Sequence, residues 1–279
     1  MTSIYDNNSV KKMKLSVTVS KNTSKTVPVL LGGDFRESIR KAKQLGYDAV
    51  ELHIVPGDIN VKEIVSCCEK NNIEVSAIGT GRSYVVDKLS LIDDSSVNRE
   101  MAVARLKEYI DIAESVGSYV IIGCMKGNMR DYSLYDTYEN RLSESMKQVS
   151  LYAAEKNVLL LLEAINRYEN NYMNTAAETL DFIKRNDIPK TKVLLDTFHM
   201  NIEEKDMCES IRECGDMLGY VHIADSNRMH AGGGHIDFKK IIDALKDINY
   251  NGYLSAECLP IPDGDIAARK GLDFIKPLL

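Results

Sequence analysis

Eight short apolar runs alternate with helical patterns along the chain, and this alternation limits the fold more than any other feature. The runs are LSVTVS, AVELHI, EVSAIG, YVIIGC, VLLLLE, KVLLD, YVHIAD and YLSAE, beginning at Leu15, Ala49, Glu74, Tyr119, Val158, Lys192, Tyr220 and Tyr253. Most are rich in valine, isoleucine and leucine without strict polar alternation, as in strands buried on both faces of a parallel sheet. Eight strand–helix units predict an α/β fold, a (β/α)8 TIM barrel.

The segments between the runs carry local helix signals. Asp34 with Glu37, and Thr175 with Glu178, have the spacing of a capping box at the start of a helix. Gly117 is placed to end the helix that is predicted after the third run. These signals support a helix between consecutive strands.

An open doubly wound sheet is the alternative arrangement of the same alternation. It is disfavoured because no GxGxxG motif follows the first run. No proline- or serine-rich linker divides the 279 residues. We therefore expect a short flexible N-terminal arm, residues 1–12, and one catalytic barrel domain, residues 13–279.

Charge and hydropathy narrow the class of partners. The net charge is -6 at pH 7 and no long basic run is present, which argues against a nucleic-acid duplex as the partner. No apolar stretch has the length that crosses a bilayer, and the polar start lacks the apolar core of a secretory signal. The six cysteines form no CxxC pair and are interpreted as reduced thiols. These features predict a cytoplasmic protein with neither nucleic acid nor membrane as a partner.

Charged and imidazole side chains lie at the ends of four successive runs. Glu163 ends the fifth run and Asp196 the sixth. His222 lies near the end of the seventh, and Glu257 ends the eighth. In barrels of this kind the functional residues lie at the C-terminal ends of the strands. Three carboxylates that meet there repel one another unless a cation neutralises them, so the pattern predicts a divalent metal site.

Three of these residues also have a simpler interpretation. Asp196 can cap the helix that follows it, Glu163 can pair with a nearby arginine or lysine, and His222 can be a hydrogen-bonded core histidine. Four such coincidences at successive strand ends favour the metal site. Three oxygens and one nitrogen suit Mn²⁺, which we predict, with Mg²⁺, Co²⁺ and Zn²⁺ as alternatives.

A second set of polar residues follows the predicted ligands. Glu169, His199 and Arg228 each lie three to six residues beyond one of them. We expect these three side chains to hydrogen-bond a polyol substrate. The alternatives are a surface ion pair for Arg228 and a solvated loop position for Glu169.

Several other polar residues keep two interpretations. Lys126 and Arg130 follow the fourth run, and either one of them binds an anionic end of the substrate, a carboxylate or a phosphate, or both are solvated loop charges. Arg82, after the third run, is a competing anion ligand. His235 either lines the site or caps the next helix, and His53, in the second run, is equally undecided.

Seven segments of the chain resemble the xylose isomerase-like TIM-barrel superfamily of sugar isomerases and epimerases. They are IGTGRSY, VIIGCMKG, EAINRYENNYMNT, LLDTFHMNIEE, HIADSNR, GGGHIDF and AECLPIPD, beginning at Ile78, Val120, Glu163, Leu194, His222, Gly232 and Ala256. Within that superfamily the chain is most similar to ketose 3-epimerases of the D-tagatose/D-psicose type and to 5-keto-L-gluconate epimerases. The resemblance implies metal ligands at Glu163, Asp196, His222 and Glu257 and substrate contacts from Glu169, His199 and Arg228.

One feature departs from the D-tagatose/D-psicose branch. Enzymes of that type carry tryptophans around the sugar, whereas this chain contains none. IGTGRSY and HIADSNR are more similar to the keto-sugar-acid branch.

The expected activity is epimerisation of the carbon next to the ketone of a ketose or keto-sugar acid, through an enediolate. The reaction removes a weakly acidic C–H proton and returns a proton on the other face, which needs two acid–base groups. Glu163 and Glu257 are the predicted pair, and the metal stabilises the developing charge. Superfamily analogy also predicts a homo-oligomer, a dimer or a tetramer.

Three other functions are alternatives to the epimerase. An aldose–ketose isomerase, acting on a sugar or a sugar phosphate, is the nearest alternative, because it uses related metal chemistry. An endonuclease IV-like DNA repair enzyme needs a histidine-rich cluster, which five histidines and a net acidic chain fit poorly. A non-catalytic sugar-binding barrel has no need of two acid–base glutamates.

Overall fold

Nine parallel strands form the sheet of this protein, whose computed structural model describes residues 12–279. The strands are β1 (Lys14–Ser20), β2 (Leu31–Gly32), β3 (Ala49–His53), β4 (Glu74–Gly79), β5 (Tyr119–Ile122), β6 (Leu160–Glu163), β7 (Thr191–Asp196), β8 (Leu218–Ile223) and β9 (Tyr253–Ala256). Eight of them, β1 and β3 to β9, close into a ring because β9 pairs with β1. The predicted (β/α)8 TIM barrel of one domain is therefore confirmed.

The eight strands of the ring correspond to the eight predicted apolar runs. The unpredicted β2 pairs with β1 outside the ring and has only two residues, too few to show a hydrophobic period. All pairings in the sheet are parallel. The C-terminal ends of the eight strands therefore meet at one mouth of the barrel.

Ten helices lie between residues 12 and 279, nine of them between strands and the tenth after β9. They are α1 (Phe35–Leu45), α2 (Val61–Asn71), α3 (Gly81–Val85), α4 (Ser96–Val116), α5 (Tyr135–Glu155), α6 (Ala176–Arg185), α7 (Thr197–Glu203), α8 (Met207–Cys214), α9 (Phe238–Asp247) and α10 (Gly264–Ile275). Single 3₁₀ turns span Cys124–Lys126, Tyr132–Leu134, Gly215–Met217 and Lys276–Leu278. The two shortest helices, α3 and α7, follow β4 and β7 at the mouth.

The predicted helix ends are found in the structure. Thr175 Oγ1 accepts from the backbone N–H of Glu178, and the Glu178 carboxylate accepts from the backbone N–H of Thr175, which completes a capping box on α6. Asp34 caps α1 through two backbone N–H groups of the first turn, but among residues 12–279 its own backbone N–H makes no return hydrogen bond to Glu37, so the capping box predicted there is only half formed. Gly117 ends α4 with a φ of 68°, a left-handed conformation that glycine adopts without steric cost.

Two apolar clusters fill the fold. The larger one packs the helices against the outer faces of the strands. The smaller one, Ala77, Ile121, Leu161, Leu194 and Tyr220, fills the barrel interior. Side chains that point into the barrel alternate with side chains that point outward along each strand, and the inward apolar side chains fill the interior. Polar side chains gather at the mouth, where the strands end.

The expected N-terminal arm and the expected lack of a membrane span concern features other than the barrel itself. The predicted N-terminal arm lies outside the described residues, apart from the exposed Lys12. Between residues 12 and 279, each helix is either too short or too polar to cross a bilayer.

Candidate metal and substrate site

The four predicted ligands come together at the C-terminal mouth of the barrel. Glu163 and Asp196 are the last residues of β6 and β7. His222 is the penultimate residue of β8, and Glu257 directly follows β9. All four side chains are buried. Each offers one ligand atom, and these atoms lie within 4.8 Å of one another.

Two buried atoms of this cluster have no hydrogen-bond partner among the described residues. They are Oδ2 of Asp196 and Nδ1 of His222. The Nδ1 atom lies 3.1 Å from Oε2 of Glu257 and 3.5 Å from Oε1 of Glu163, without the geometry of a hydrogen bond. A buried polar atom without a partner costs about 1–3 kcal/mol. A metal ion fits this donor set, because it would bind the orphaned atoms and neutralise the carboxylates.

Asp196 has the helix-capping role that its position in the sequence suggested, and it also has one oxygen without a partner. Its Oδ1 accepts a hydrogen bond of 2.7 Å from the backbone N–H of Phe198 and thereby caps α7. Its Oδ2 is left free for the cluster. Burial and the nearby Glu257 raise the pKa of Asp196 above its ordinary value, so the site disfavours a further uncompensated negative charge.

The pKa of His222 also indicates that the cluster of predicted ligands favours positive charge. Burial lowers the pKa of His222, but Glu257 and Glu51 outweigh it and raise the pKa well above its ordinary value. The cluster therefore takes up positive charge, either as a proton on the imidazole or as a metal ion that replaces it.

Sequence reasoning missed Glu51, a fully buried carboxylate on β3. Its Oε2 accepts from His222 Nε2 and from the Tyr220 hydroxyl, both at 3.0 Å. Its Oε1 accepts from His53 Nε2 at 2.8 Å. Burial acts to raise the pKa of Glu51, but His222 and His53 hold it well below its usual range. A single acid inside the apolar run AVELHI was the available signal, because it needs buried partners.

Glu51 determines which nitrogen of His222 faces the cluster. Because Nε2–H donates to the carboxylate, Nδ1 is directed at Glu163 and Glu257. Ligating histidines in metal sites commonly carry such a carboxylate partner on the second nitrogen. Glu51 and His53 are hydrogen-bonded to each other. We therefore interpret them as residues that orient the cluster rather than as metal ligands.

Gly123, which directly follows β5, makes space for the carboxylate of Glu163. A Cβ atom at this position would overlap with Oε2 of Glu163. The cluster therefore needs glycine here for close approach, independently of backbone freedom.

Of the predicted substrate contacts, His199 lies nearest to the cluster. Its Nε2 is 3.9 Å from Oδ2 of Asp196 and 4.0 Å from Oε1 of Glu163. Oδ1 of Asn166 accepts from the backbone N–H of Tyr168, so Nδ2 of Asn166 donates to Nδ1 of His199, at 2.6 Å. The proton of the neutral ring is therefore on Nε2, facing the cluster.

His199 stays neutral at physiological pH. Burial, with a smaller contribution from Arg228, lowers the pKa of His199 to about 3. A neutral Nε2–H can donate a hydrogen bond to an oxygen that gains negative charge.

Arg228 and Glu169 form an ion pair in the wall of the same cavity. Their Nη1 and Oε1 atoms are 2.5 Å apart, and the guanidinium lies 4.8 Å from the ring centre of Phe198. The Arg228 side chain is 19% exposed. The ion pair suggested for Arg228 thus exists, but it lies beside the predicted ligands rather than on open surface.

Three of the predicted ligands, Glu163, His222 and Glu257, line one cavity of about 530 Å³, within the usual size of small-molecule sites. Its lining includes His53, Arg82, His199 and Arg228. His235 is exposed, hydrogen-bonds Ser226 and is absent from the lining. His53 therefore faces the site and His235 does not.

Neither of the two interpretations left open holds for Lys126, whereas Arg130 is a surface charge. Lys126 is fully buried, and its Nζ donates to the backbone carbonyl of Glu163 at 2.6 Å. Arg130 pairs with Asp93 and Asp94, each at 3.5 Å. Neither side chain lines the cavity, because the turn after β5 directs Lys126 into the core and Arg130 lies on the surface.

Comparison with known proteins agrees with this fold. The sequence profile of the family described as Xylose isomerase-like TIM barrel matches residues 39–278. The chain is 39% identical over 245 residues to D-psicose 3-epimerase from Enterocloster bolteae, covering 84% of this chain and 80% of the relative. It is 28% identical over 229 residues to 3-dehydro-D-guloside 4-epimerase from Escherichia coli K12, covering 79% of this chain and 86% of the relative.

A solved structure extends the comparison to three dimensions. The crystal structure of D-allulose 3-epimerase from Methylomonas sp. in complex with D-allulose has a TM-score of 0.81 to this protein at 26% identity. The match covers 96% of this chain and 98% of that chain. The named relatives are sugar epimerases, and the chain belongs to the xylose isomerase-like TIM barrel family.

Proposed function

We propose that this protein is a metal-dependent epimerase that inverts the carbon next to the ketone of a ketose or keto-sugar acid. The observation that carries the proposal is the pair Glu163 and Glu257, whose carboxylates both lie within 3.5 Å of His222 Nδ1 in one cavity. Sugar binding alone requires no such pair, whereas inversion of a C–H centre needs a base and an acid.

The names of two relatives support the same chemistry. One is a 3-epimerase of psicose, a 2-ketose, and the other is a 4-epimerase of a 3-dehydro sugar. In both names the inverted carbon is the neighbour of the ketone carbon. A proton on such a carbon is acidic enough to be exchanged, because the resulting charge is shared with the ketone oxygen.

We assign the metal to Glu163, Asp196, His222 and Glu257, and we propose Mn²⁺ as the ion. Mg²⁺, Co²⁺ and Zn²⁺ also suit three carboxylates and an imidazole. When bound, the ion supplies Lewis-acid stabilisation of the negative charge that develops on the substrate oxygens.

The side chains of this protein then carry out the proton transfers. Glu163 or Glu257 removes the proton from the carbon, and the other glutamate, in its protonated form, donates a proton to the opposite face. His199 donates its Nε2–H to the oxygen that gains charge. Arg228 and Glu169, which pair in the cavity wall, bind hydroxyl groups and hold the substrate in one orientation.

A substrate screen in heavy water tests the proposal. The protein is reconstituted with Mn²⁺ and incubated with ketoses, ketose phosphates and keto-sugar acids, and the reaction is followed by proton NMR. We expect the signal of the proton next to the ketone to disappear while the epimer accumulates. A product with a moved carbonyl identifies an aldose–ketose isomerase instead. Binding without proton exchange overturns the catalytic assignment.

We also propose that the protein is a homo-oligomer, a dimer or a tetramer, and that it acts in the cytoplasm. Light scattering of the purified protein measures the mass, and the mass of a single chain contradicts the oligomer.

A further inference from the structure

The cavity extends beyond the predicted ligands to a wall on the β1 and β4 side of the mouth. This wall contains Ser20 at the end of β1, Arg82 on α3, and parts of the segment 22–29 that follows β1. The proposed reaction assigns no role to these residues. We call Ser20 and Arg82 the donor wall.

Arg82 has no carboxylate partner within ion-pair distance among residues 12–279. The other arginine in the cavity lining, Arg228, is paired with Glu169. Within the described residues, the Arg82 guanidinium donates one hydrogen bond, to Oγ of Ser20 at 3.4 Å. A guanidinium has five N–H donors and no acceptor, so most of the donors of Arg82 are free for a ligand.

Ser20 adds a further donor at the same place. It is 2% exposed and its Oγ receives the hydrogen bond from Arg82. No acceptor for its own hydroxyl hydrogen is found in the described part of the chain. The donor wall therefore presents N–H and O–H groups together with a positive charge, which complements an anion.

The charges in the rest of the cavity also favour the donor wall as the place where an anionic group would bind. Glu51, Glu163, Glu169 and Glu257 all line it, so an anionic group on the substrate is repelled from that region. Lys126 and Arg130 do not line the cavity. Between residues 12 and 279, Arg82 is therefore the arginine of the lining without a carboxylate partner, and its charge is available to such a group.

We propose that the donor wall binds a carboxylate or phosphate group of the substrate. The substrate class is then a keto-sugar acid or a ketose phosphate rather than a neutral ketose. This inference rests on the proposed function, which places the ketone at the predicted ligands. The planar fork of Arg82 suits two-pronged binding of either group.

Kinetics of charge-matched substrates test the inference. Arg82→Met removes the charge and keeps the length, Arg82→Lys keeps the charge and loses the fork, and Arg269→Met is the matched control on the exposed face of α10. We expect Arg82→Met to raise KM for an anionic substrate about 10- to 100-fold. For a neutral ketose, KM changes less than about threefold. Arg82→Lys gives an intermediate KM, and Arg269→Met behaves as wild type.

A binding experiment with ligands that cannot react tests the donor wall without any need for turnover. D-Gluconate and sorbitol differ in charge, and neither has a ketone to react. In titration calorimetry of the Mn²⁺-loaded protein, gluconate is expected to bind at least about 10-fold more tightly than sorbitol. The difference disappears in Arg82→Met and persists in Arg269→Met. Gluconate affinity that survives in Arg82→Met shows chelation elsewhere and overturns the inference.

The outcomes separate this inference from the proposed function. Equal turnover of neutral and anionic substrates, with equal effects of Arg82→Met, overturns the donor wall and leaves the epimerase intact. Absence of proton exchange with every substrate overturns the epimerase, and the gluconate titration then decides the donor wall alone. A preference for phosphate over carboxylate, or the reverse, identifies which anion the wall receives.

Discussion

Oε2 of Glu51 on β3 lies 3.0 Å from Nε2 of His222 on β8, and this hydrogen bond crosses the barrel interior between strands that are not neighbours. The Tyr220 hydroxyl donates to the same oxygen, at 3.0 Å. The imidazole is therefore held from one side while its Nδ1 faces two carboxylates. A ligand prepared in this way loses little conformational entropy when it binds a metal.

Glu51→Gln is expected to weaken metal binding while the barrel stays folded. The amide keeps the shape of the side chain but loses the charge that aligns His222, and losses of such partners cost about 10- to 100-fold in metal affinity. Titration calorimetry with Mn²⁺ measures the effect. Glu74→Gln, which removes a carboxylate that pairs with Lys14 outside the cavity lining, is the control. Unchanged Mn²⁺ affinity in Glu51→Gln contradicts the role given to Glu51.

Gly123→Ala tests the close approach of Glu163 to the backbone after β5. The added methyl group would occupy the place of Oε2 of Glu163, so the carboxylate must move. We expect Mn²⁺ affinity and turnover to fall at least about 10-fold with little change in the circular dichroism spectrum. Gly271→Ala in α10 is the matched control, because it lies outside the cavity lining and the heavy atom nearest to its added methyl group is 3.5 Å away, an ordinary contact. Equal behaviour of the two variants argues against the steric account.

Glu163→Gln and Glu257→Gln are each expected to abolish epimerisation and largely preserve the fold. A positioned acid–base group contributes about 10²–10⁴-fold to the rate, and each residue is also a proposed ligand. Proton exchange into substrate from heavy water measures the loss. Glu108→Gln on the exposed face of α4 serves as the control. Near wild-type exchange in either active-site variant removes that residue from the mechanism.

Asn166→Asp is expected to reverse the tautomer of His199. The carboxylate would accept a hydrogen bond from Nδ1 of His199, whereas the wild-type amide donates to it. Nε2 would then face the cluster without a proton, and kcat should fall about 10- to 100-fold. Nitrogen-15 NMR of the histidine ring reports the tautomer directly. Asn186→Asp at the end of α6 is the control, and an unchanged tautomer in Asn166→Asp refutes the assignment.

The buried His199 predicts a loss of stability in acid. Burial, assisted by Arg228, lowers its pKa from 6.5 to about 3 in the folded protein. Between these values the unfolded chain binds a proton that the folded protein does not, so the free energy of unfolding falls as the pH falls below 6.5. At about 1.36 kcal/mol per pH unit, this group removes about 2 kcal/mol between pH 6.5 and pH 5.

Urea unfolding of wild type and His199→Gln at pH 7 and pH 5 measures this contribution. The variant lacks the titrating group, so its stability relative to wild type should improve by about 2 kcal/mol on acidification. A difference between the two proteins that is independent of pH would disprove the claim.

Much of the site was predictable from the pattern of strand ends. In a closed parallel barrel, every strand delivers its last residues to the same mouth, so residues that end successive runs become neighbours. Asp196 and His222 are register partners on β7 and β8 for this reason. Helix starts were also predictable, because a capping box such as that of Thr175 and Glu178 depends only on a spacing of three residues along the chain.

The remaining contacts could not be derived from spacing along the chain. Glu51 and His222 are 171 residues apart, and their bond depends on the side-chain directions that barrel closure imposes. The buried course of Lys126, the free donors of Arg82 and the tautomer of His199 likewise depend on which groups pack around each side chain. The apolar pattern of the sequence locates each strand, and the backbone geometry of the barrel brings the end of each strand to the mouth. The sequence therefore specifies which strand end each polar side chain occupies. The partners that orient and charge that side chain come from distant strands, so folding of the whole barrel selects them.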